Sequence, residues 1–237
     1  MLFISAFRRL FKQNCLLCRS ANGDDIALCS RCQEDLPWHI QPHCPQCGLL
    51  SFDNQICGHC LKSPPDFDMT HSLFTYDFPL NALLHRYKYG GMLNLSHSFA
   101  DLMSYQLLQN HTDVSGIDLI IPMPMHRQRL QERGFNQALE IAKKVAKKLC
   151  IPLNYNICIR HKLTPPQASL PLKERVKNIR GVFSIADAQA KNLQGLKIAI
   201  IDDVMTTGAS LNELANTLKK AGASHVECWV VARTMPK

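Results

Sequence analysis

The sequence predicts an α/β fold in which helices flank a mostly parallel sheet, with a small cysteine-rich module placed before that domain. Two apolar runs are each followed by a polar loop and an amphipathic helix, which is the pattern of buried parallel strands and their crossovers. Four C-x-x-C pairs are confined to the first 60 residues. The 237 residues, of which 46% are hydrophobic, suffice for one medium domain and a small module.

The clearest strand-to-helix junction lies near the C-terminal end and reads IAIIDDVMTTGAS, from residue 198 to residue 210. The run 198–201 has no polar alternation, so we predict a strand buried on both faces. A helix should follow, because apolar residues recur at the helical period and Gly222 suits the position just past its end. These apolar residues are Leu211, Leu214, Ala215 and Leu218. The run 226–230 then indicates a further strand.

The turn of this junction has the features of a phosphate cradle. It would lie at the carboxyl end of a buried strand, where open α/β sheets bind ligands. Backbone N–H groups at the start of a helix attract anions, and Gly208 allows a close approach or a positive φ. Side-chain hydroxyls add further donors. The predicted cradle consists of Thr206, Thr207, Gly208, Ala209 and Ser210.

Two adjacent carboxylates, Asp202 and Asp203, come directly before this turn. Because they would repel a phosphate, we expect them to face a ribose diol or a hydrated divalent cation. Two other interpretations compete with this one. The first is an ordinary buried strand with a polar helix cap. The second is the aspartate cluster of receiver-type phosphoacceptors, against which the following TTGAS argues.

A second strand-to-helix junction lies in the middle of the chain. The run 117–121 predicts a buried strand, and the apolar positions of 139–149 predict an amphipathic helix. The loop between them carries Arg127, Arg129 and Arg133. Guanidinium groups are forked donors suited to phosphate oxygens, so this loop can hold a diphosphate opposite the first cradle. A solvated basic loop is the alternative, and the position beside a second junction favours the diphosphate.

Eight of the eleven cysteines form the four C-x-x-C pairs. Two such pairs complete a closed four-sulfur shell that suits structural zinc, so the sequence predicts two zinc ions. The predicted ligands are Cys15, Cys18, Cys29, Cys32, Cys44, Cys47, Cys57 and Cys60.

Sequential pairing of these cysteines is our first choice, because the gaps of ten and nine residues leave room for small hairpins. A cross-braced arrangement is the alternative, and His43 or His59 could also replace a sulfur. Redox dithiols are a further interpretation. The isolated cysteines Cys150, Cys158 and Cys228 are expected in the core.

The start of the chain and the lengths of its apolar stretches indicate the cellular compartment of the protein. The opening MLFISAFRRLFKQN is short and its arginines follow the apolar residues, so we expect an amphipathic helix and not a cleaved signal peptide. No stretch approaches the roughly 20 apolar residues of a membrane span. These features predict a cytoplasmic protein without a membrane partner.

Pro64 and Pro65 mark the boundary between a module at 1–63 and a domain at 66–237.

The stretch IDDVMTTGAS closely resembles the phosphoribosyl pyrophosphate (PRPP) loop of type I phosphoribosyltransferases. The paired cysteines are followed in order by PPDFD, LLHRYKYGG, RGFNQA, RHKLTPPQASLPLKERVKNIRGVF and that loop. This ordered set resembles the ComF family of competence-associated phosphoribosyltransferase-like proteins over nearly the entire chain. The resemblance implies a zinc-ribbon module followed by a type I phosphoribosyltransferase fold. It also implies a role in natural transformation after DNA has entered the cytoplasm.

By this resemblance, Asp202 and Asp203 would hold the ribose hydroxyls of PRPP, and residues 206–210 would hold its 5-phosphate. The diphosphate, with Mg²⁺, would reach the three arginines of the second junction. No acid or base for a nucleophile is evident, so the chain is either a phosphoribosyltransferase with an unidentified acceptor or a non-catalytic single-strand DNA adaptor that keeps the fold. The segment that could cover the site contains Arg160, Gln167, Arg175, Asn178 and Arg180.

The charge distribution bears on partners. The formal net charge is +8, and eight thiolates with two zinc ions would lower it to about +4. Residues 1–70 carry six Lys/Arg and seven Asp/Glu, whereas residues 126–180 carry thirteen and three. The middle segment is therefore the better candidate for weak, sequence-independent binding of single-stranded DNA. The candidate contacts are Lys143, Lys144, Lys147 and Lys148. Other competence proteins are further expected partners.

Overall fold

The structure is a computed structural model, and it describes residues 14–21, 23, 27–109, 114–163, 179–186 and 193–236. The predicted N-terminal amphipathic helix and the covering-segment residues Gln167, Arg175 and Asn178 lie outside the described residues. Across the described ranges, no helix has the length and apolar character that a membrane crossing requires.

Helices follow three strands of the parallel sheet, the first, the second and the fifth in chain order, as an α/β fold requires. In chain order the strands are β1 (Met69–Thr75), β2 (Leu119–Pro122), β3 (Cys158–Arg160), β4 (Phe183–Ile185), β5 (Lys197–Met205) and β6 (His225–Arg233). The helices are α1 (Ser30–Glu34), α2 (Gly58–Lys62), α3 (Leu80–Tyr89), α4 (Leu95–Gln109), α5 (Arg127–Arg133), α6 (Gln137–Leu149) and α7 (Ala209–Lys220). Short 3-10 turns occupy Phe52–Asn54 and Val114–Gly116.

The main sheet has four parallel strands in the order β1–β6–β5–β2. Strand β5 lies between two partners, since Ile198 pairs with Leu119 of β2 and with Val226 of β6. Strand β1 pairs with the other edge of β6. Strands β3 and β4 form a separate antiparallel pair. The predicted α/β class with a mostly parallel sheet is therefore confirmed.

Strand β5 is buried on both faces. Ala199 and Ile201 belong to one core, together with the apolar residues of α3, α4 and α6. Ile198 and Ile200 belong to a second core, together with the apolar residues of α7. The run has no polar alternation because neither face of the strand contacts water. The two cores are separated by the sheet itself.

Strand β5 continues beyond the apolar run, to Met205. Asp202 and Asp203 are therefore residues of the strand, and their backbone continues the ladder with β6 up to the pair Met205↔Arg233. The predicted strand, 198–201, ends too early, because it was limited to apolar residues. The hydrogen bonds between strands use backbone groups, so a strand can continue through residues with polar side chains.

The prediction of a loop carrying three arginines is wrong, because Arg127–Arg133 forms helix α5. His126 caps its start by accepting a hydrogen bond from the Gln128 N–H at Nδ1, at 3.2 Å. Gly134 ends it in the left-handed region, at φ 81°, and donates its N–H to the Leu130 carbonyl at 2.8 Å. A cap at each end stabilises this seven-residue helix.

The three isolated cysteines occupy two kinds of position. Cys158 and Cys228 are buried, as predicted. Cys150 is exposed, so its predicted core position is wrong. It follows the last residue of α6 as a left-handed cap, at φ 56°. A helix cap at the protein surface explains why its side chain does not reach the core.

The cysteine-rich module packs directly onto the sheet domain. Trp38 packs against Phe74 of β1 with ring centres 4.7 Å apart. The Thr75 N–H donates to the Pro37 carbonyl at 2.8 Å, and the His39 N–H donates to the Leu73 carbonyl at 3.2 Å. The module's own buried residues Cys15, Leu28, Cys29 and Leu36 belong to the same core as α3 and α4.

The PPDFD segment fixes helix α7 to the sheet. The Asp66 carboxylate accepts hydrogen bonds from the side-chain amides of Asn212 and Asn216, at 2.9 and 3.0 Å. The Asp68 carboxylate lies 2.8 Å from Lys219 and accepts the Val226 N–H at 2.8 Å. These contacts hold α7 at both of its ends, so this segment sets the position of the helix that follows the predicted phosphate cradle.

Candidate functional site

The two predicted carboxylates belong to consecutive residues near the end of strand β5. The Asp203 N–H donates to Asp202 Oδ1 at 2.8 Å. Lys88, on α3, lies across from them, with its Nζ 2.5 Å from Asp203 Oδ2. The exposed fractions of the two side chains are only 24% for Lys88 and 13% for Asp203. One carboxylate of the pair is thus neutralised by a largely buried ammonium group.

The two carboxyl groups differ in their tendency to ionise. Burial, followed by the charge of Asp203, raises the pKa of Asp202 well above its usual range. Burial would also raise the pKa of Asp203, but the adjacent Lys88 outweighs burial and lowers this pKa. Asp203 is therefore ionised at neutral pH, and Asp202 is the carboxyl that retains a proton more readily. Such divergent pKa values in neighbouring acids are typical of functional sites.

The predicted phosphate cradle is a tight loop between β5 and α7. Gly208 occupies the N-cap of α7 at φ 80°. The positive φ is a conformation that residues with a Cβ rarely adopt, so the backbone at this position favours glycine. The Ala209 N–H donates to Thr207 Oγ1 at 3.3 Å. The first turn of α7 thus begins at a place where an anion is electrostatically favoured.

A cavity of about 160 Å³ connects the carboxylates with α5. Its charged and hydroxyl-bearing lining consists of His126, Arg129, Arg133, Arg160, Asp202, Asp203 and Ser210. The two junctions predicted from the sequence therefore meet at one cavity. Arg127 is exposed and lies outside this lining. The helical form of α5 explains the difference, because Arg129 and Arg133 are four residues apart and share a face that Arg127 does not.

The arginines of the cavity are held in place by neighbouring groups. Arg133 donates to Gln137 Oε1 at 2.7 Å, and its guanidinium lies 5.1 Å from the centre of the Tyr89 ring. Arg160, on β3, lies 5.7 Å from the centre of the Phe183 ring. Burial, followed by the charge of Arg129, lowers the pKa of Arg160. Several cations are thus crowded around the cavity, which favours an anionic ligand.

Two residues of this site were missed by the sequence analysis. Lys88 lies within LLHRYKYGG, a stretch used only for the family resemblance, and no acid near it in sequence indicated a partner. His126 was not assigned a role, although it lines the cavity and caps α5. Its Nδ1 accepts a hydrogen bond, so the neutral ring carries its proton on Nε2 as a donor.

The eight paired cysteines form two groups of four, and the sulfur atoms of each group lie within 4.8 Å of one another. One group contains the first two C-x-x-C pairs and the other contains the last two, which is the sequential arrangement. Sulfur atoms of Cys18 and Cys29, and of Cys47 and Cys57, are 3.7 Å apart. A tetrahedral zinc ion with Zn–S bonds of about 2.3 Å requires about 3.8 Å between sulfurs, so both groups fit the ion.

The four lysines considered for DNA binding lie on α6, and three of them face acids. Lys143 and Lys144 lie 2.8 and 3.9 Å from the Glu140 carboxylate. Lys148 lies 3.0 Å from Asp101. Lys147 is exposed. These ion pairs reduce the positive charge that this face of α6 presents to a partner.

Comparison with known proteins assigns both parts of the chain. The double zinc ribbon domain family matches residues 6–61, and the phosphoribosyl transferase domain family matches residues 136–236. Competence protein F of Haemophilus influenzae is 33% identical over 232 residues, which cover 94% of this chain and 98% of that protein. This chain belongs to the ComF family.

Other proteins are similar to this ComF-family chain over nearly their full length. The DNA utilization protein YhgH of Salmonella typhimurium is 30% identical, covering 93% of this chain and 97% of that protein. Competence protein ComFC of Bacillus subtilis is 25% identical, covering 95% of this chain and 97% of that protein. The double zinc ribbon match and the sulfur geometry together support structural zinc in the ComF-family chain.

We predict that the protein purified without chelator contains two zinc ions per chain, because each small ribbon needs metal to supply folding energy. Elemental analysis measures the content. Cys18→Ser and Cys57→Ser should each reduce it by one ion, whereas Cys150→Ser, which changes an exposed thiol outside both groups, should leave it unchanged. A content of one zinc ion or none in the unmodified protein contradicts the prediction.

We predict that Lys88→Met lowers the free energy of unfolding by about 3 kcal/mol, because it leaves the Asp203 carboxylate buried without its partner. Urea unfolding measures the change. Asp203→Asn should partly restore stability in the Lys88→Met background, since it removes the unpaired charge. The double-mutant cycle decides the result, and strictly additive costs would show that the two groups do not interact.

Proposed function

We propose that this ComF-family protein binds PRPP and acts in natural competence, handling incoming single-stranded DNA in the cytoplasm. One observation carries the proposal. A single cavity joins the Asp202–Asp203 pair, Ser210 of the phosphate cradle, and arginines of α5. A ligand with a phosphate at one end, a diol in the middle and a diphosphate at the other end matches this order of groups, and PRPP has that composition.

The 5-phosphate would occupy the loop 206–210. Its oxygens would accept hydrogen bonds from backbone N–H groups at the start of α7 and from the hydroxyls of the loop. Gly208 supports this assignment, because its positive φ is the conformation that lets a loop backbone approach a phosphate closely. Placing negative charge at a helix start is favourable, and the phosphate would gain both effects together.

The ribose diol would contact the two carboxylates. Asp203 is held ionised by Lys88 and can accept a hydrogen bond from a sugar hydroxyl. Asp202 has a raised pKa, so it can either donate or accept at the second hydroxyl. Asp203 would therefore contact the diol by charge-assisted hydrogen bonds, which are stronger than the neutral bonds of a protonated Asp202.

The diphosphate would lie against Arg129, Arg133 and Arg160, with His126 as an additional donor. Mg²⁺ prefers one or two carboxylates together with substrate phosphates. Asp202 would hold the ion after losing its proton to solvent, since Lys88 already neutralises Asp203. Bound there, the ion would neutralise charge on the diphosphate. The three arginines would stabilise a departing diphosphate, which is the main requirement for catalysing phosphoribosyl transfer.

The names of the relatives support a role with DNA. They are competence proteins from two organisms and a DNA utilization protein from a third. The chain's excess of positive charge lies in residues 126–180, which contain α5, α6 and β3. We therefore assign weak, sequence-independent contact with single-stranded DNA to this segment, and other competence proteins are its proposed partners.

We predict that Asp202→Asn with Asp203→Asn weakens PRPP affinity by about two to four orders of magnitude. The variant keeps size and acceptor oxygens but removes the charge, and each charge-assisted hydrogen bond contributes about 1.5 to 3 kcal/mol. Calorimetric titration with PRPP, with and without Mg²⁺, measures the loss.

The matched control for this experiment is Asp101→Asn, which removes a carboxylate ion-paired to Lys148 on α6, outside the cavity lining. It should bind PRPP like the parent. Circular dichroism and zinc content verify that both variants fold. If the double variant also binds PRPP like the parent, the two acids serve only the fold, and the proposed function fails.

We predict that Lys143→Glu with Lys147→Glu weakens binding of an oligothymidylate and reduces its salt dependence. Loss of two phosphate contacts lowers the steepness of log affinity plotted against log salt concentration by about 1.4. The parent should therefore lose about sevenfold more affinity than the variant between roughly 50 and 200 mM salt. Fluorescence anisotropy measures both. Lys197→Glu with Lys220→Glu makes the same change in charge at exposed positions outside α6. Equal effects of the two variants would show that α6 does not contact the DNA.

A further inference from the structure

The last residue of β6, Arg233, is a buried cation whose hydrogen-bond partners are carbonyl groups. It is only 3% exposed. Its Nε donates to the Cys47 carbonyl at 2.7 Å. Its Nη1 lies 3.2 Å from the Met205 carbonyl and is also hydrogen-bonded to the Thr206 carbonyl. One guanidinium group thus joins a cysteine of the second ribbon to the residues that open the phosphate cradle.

The ribbon side of this contact is the turn Cys44–Gly48, which carries two of the four sulfurs of the second group. The turn packs tightly on the sheet domain. A Cβ atom on Gly48 would lie 3.4 Å from Thr70 and 3.6 Å from the Arg233 stem. The Thr70 N–H donates to the Pro45 carbonyl at 2.9 Å. The position of Arg233 therefore depends on the shape of a metal-binding turn.

The positive charge of Arg233 is also complementary to the negative charge of a zinc ion bound by four thiolates. Four thiolates around one zinc ion carry a net charge of about −2, and the guanidinium is bonded to the backbone of one of these ligands, Cys47. A buried cation without a negative neighbour is strongly unfavourable. Loss of zinc releases the turn, so Arg233 would lose both a hydrogen-bond acceptor and its compensating charge.

We infer that the second zinc ribbon supports the phosphate cradle, and that Arg233 is the positioning residue that connects the two. The consequence for ligand affinity rests on the proposed function, whereas the consequence for the order of the loop does not. A loop whose carbonyls are fixed presents its N–H groups in place, and a loose loop must be ordered when the phosphate binds. Coupling is reciprocal, so a bound phosphate should in turn protect the second zinc ion.

The first test measures hydrogen–deuterium exchange of the peptide that contains residues 204–212 in the full chain. Arg233→Met keeps an unbranched stem against Gly48 but removes all donors, and exchange in the loop should become about 5- to 150-fold faster, the usual range of coupling between sites. Thr70→Val is the matched control, because it removes the hydrogen bond that the Thr70 hydroxyl donates to the Gln46 carbonyl of the ribbon turn and leaves the Arg233 bonds to the loop carbonyls in place. Unchanged exchange in Arg233→Met, or equal changes in both variants, overturns the inference.

A second pair of variants covers the case in which Arg233→Met does not fold. Cys57→Ser and Cys18→Ser each remove one ligand, from the second and the first ribbon respectively. Only Cys57→Ser should accelerate exchange in the loop, while exchange in strand 198–201 stays protected in both. Equal acceleration by the two variants would mean that zinc acts on global stability, and the inference would be wrong.

The ligand arm uses the unmodified protein with a chromogenic zinc chelator. In an equilibrium titration, PRPP with Mg²⁺ should raise the chelator concentration needed to remove one of the two zinc ions by about 5- to 150-fold and leave the other unchanged, and Arg233→Met should abolish this protection. Equal protection of both ions contradicts the coupling. If the unmodified protein does not bind PRPP at all, the proposed function fails, and the exchange measurements still decide the role of Arg233.

Discussion

Burial of β5 on both faces is the constraint on which the rest of the structure depends. Because β2 and β5 are parallel neighbours, with Pro122 paired to Ile201, the segments that follow them begin at the same edge of the sheet. That shared edge brings helix α5 opposite the loop 206–210. The cavity between them is therefore a consequence of the strand order, and the side chains that line it determine its chemistry.

Charge compensation is the second organising feature of the site. Arg129, Arg133 and Arg160 line a cavity whose ionised acid, Asp203, is already paired with Lys88. These arginines give the cavity an excess of positive charge, which favours an anionic ligand. The pairing of Lys88 with Asp203 keeps the acid ionised in surroundings that would otherwise protonate it.

The cysteine-rich module is a part of the fold and not an appended unit. A module of about 60 residues has little core of its own, and zinc together with contact to a larger domain compensates for this. Its first ribbon contributes Leu28 and Leu36 to the core that covers one face of the sheet. Its second ribbon is bonded to Thr70 and Arg233. Metal binding and the shape of the ligand site therefore share one set of contacts.

The sequence by itself determined the features that depend on local pattern: the strand 198–201 buried on both faces, the glycine-containing turn after it, and two groups of four cysteines. Each follows from the periodicity or spacing of neighbouring residues. Only the tertiary structure decided that Lys88 pairs with Asp203, that Arg127 is excluded from the cavity, and that Arg233 joins a ribbon to the loop. The two pairings depend on contacts between residues far apart in the chain, which a linear pattern does not contain. The exclusion of Arg127 depends on which face of α5 it occupies, and this helix is too short for its period to be recognised in the sequence.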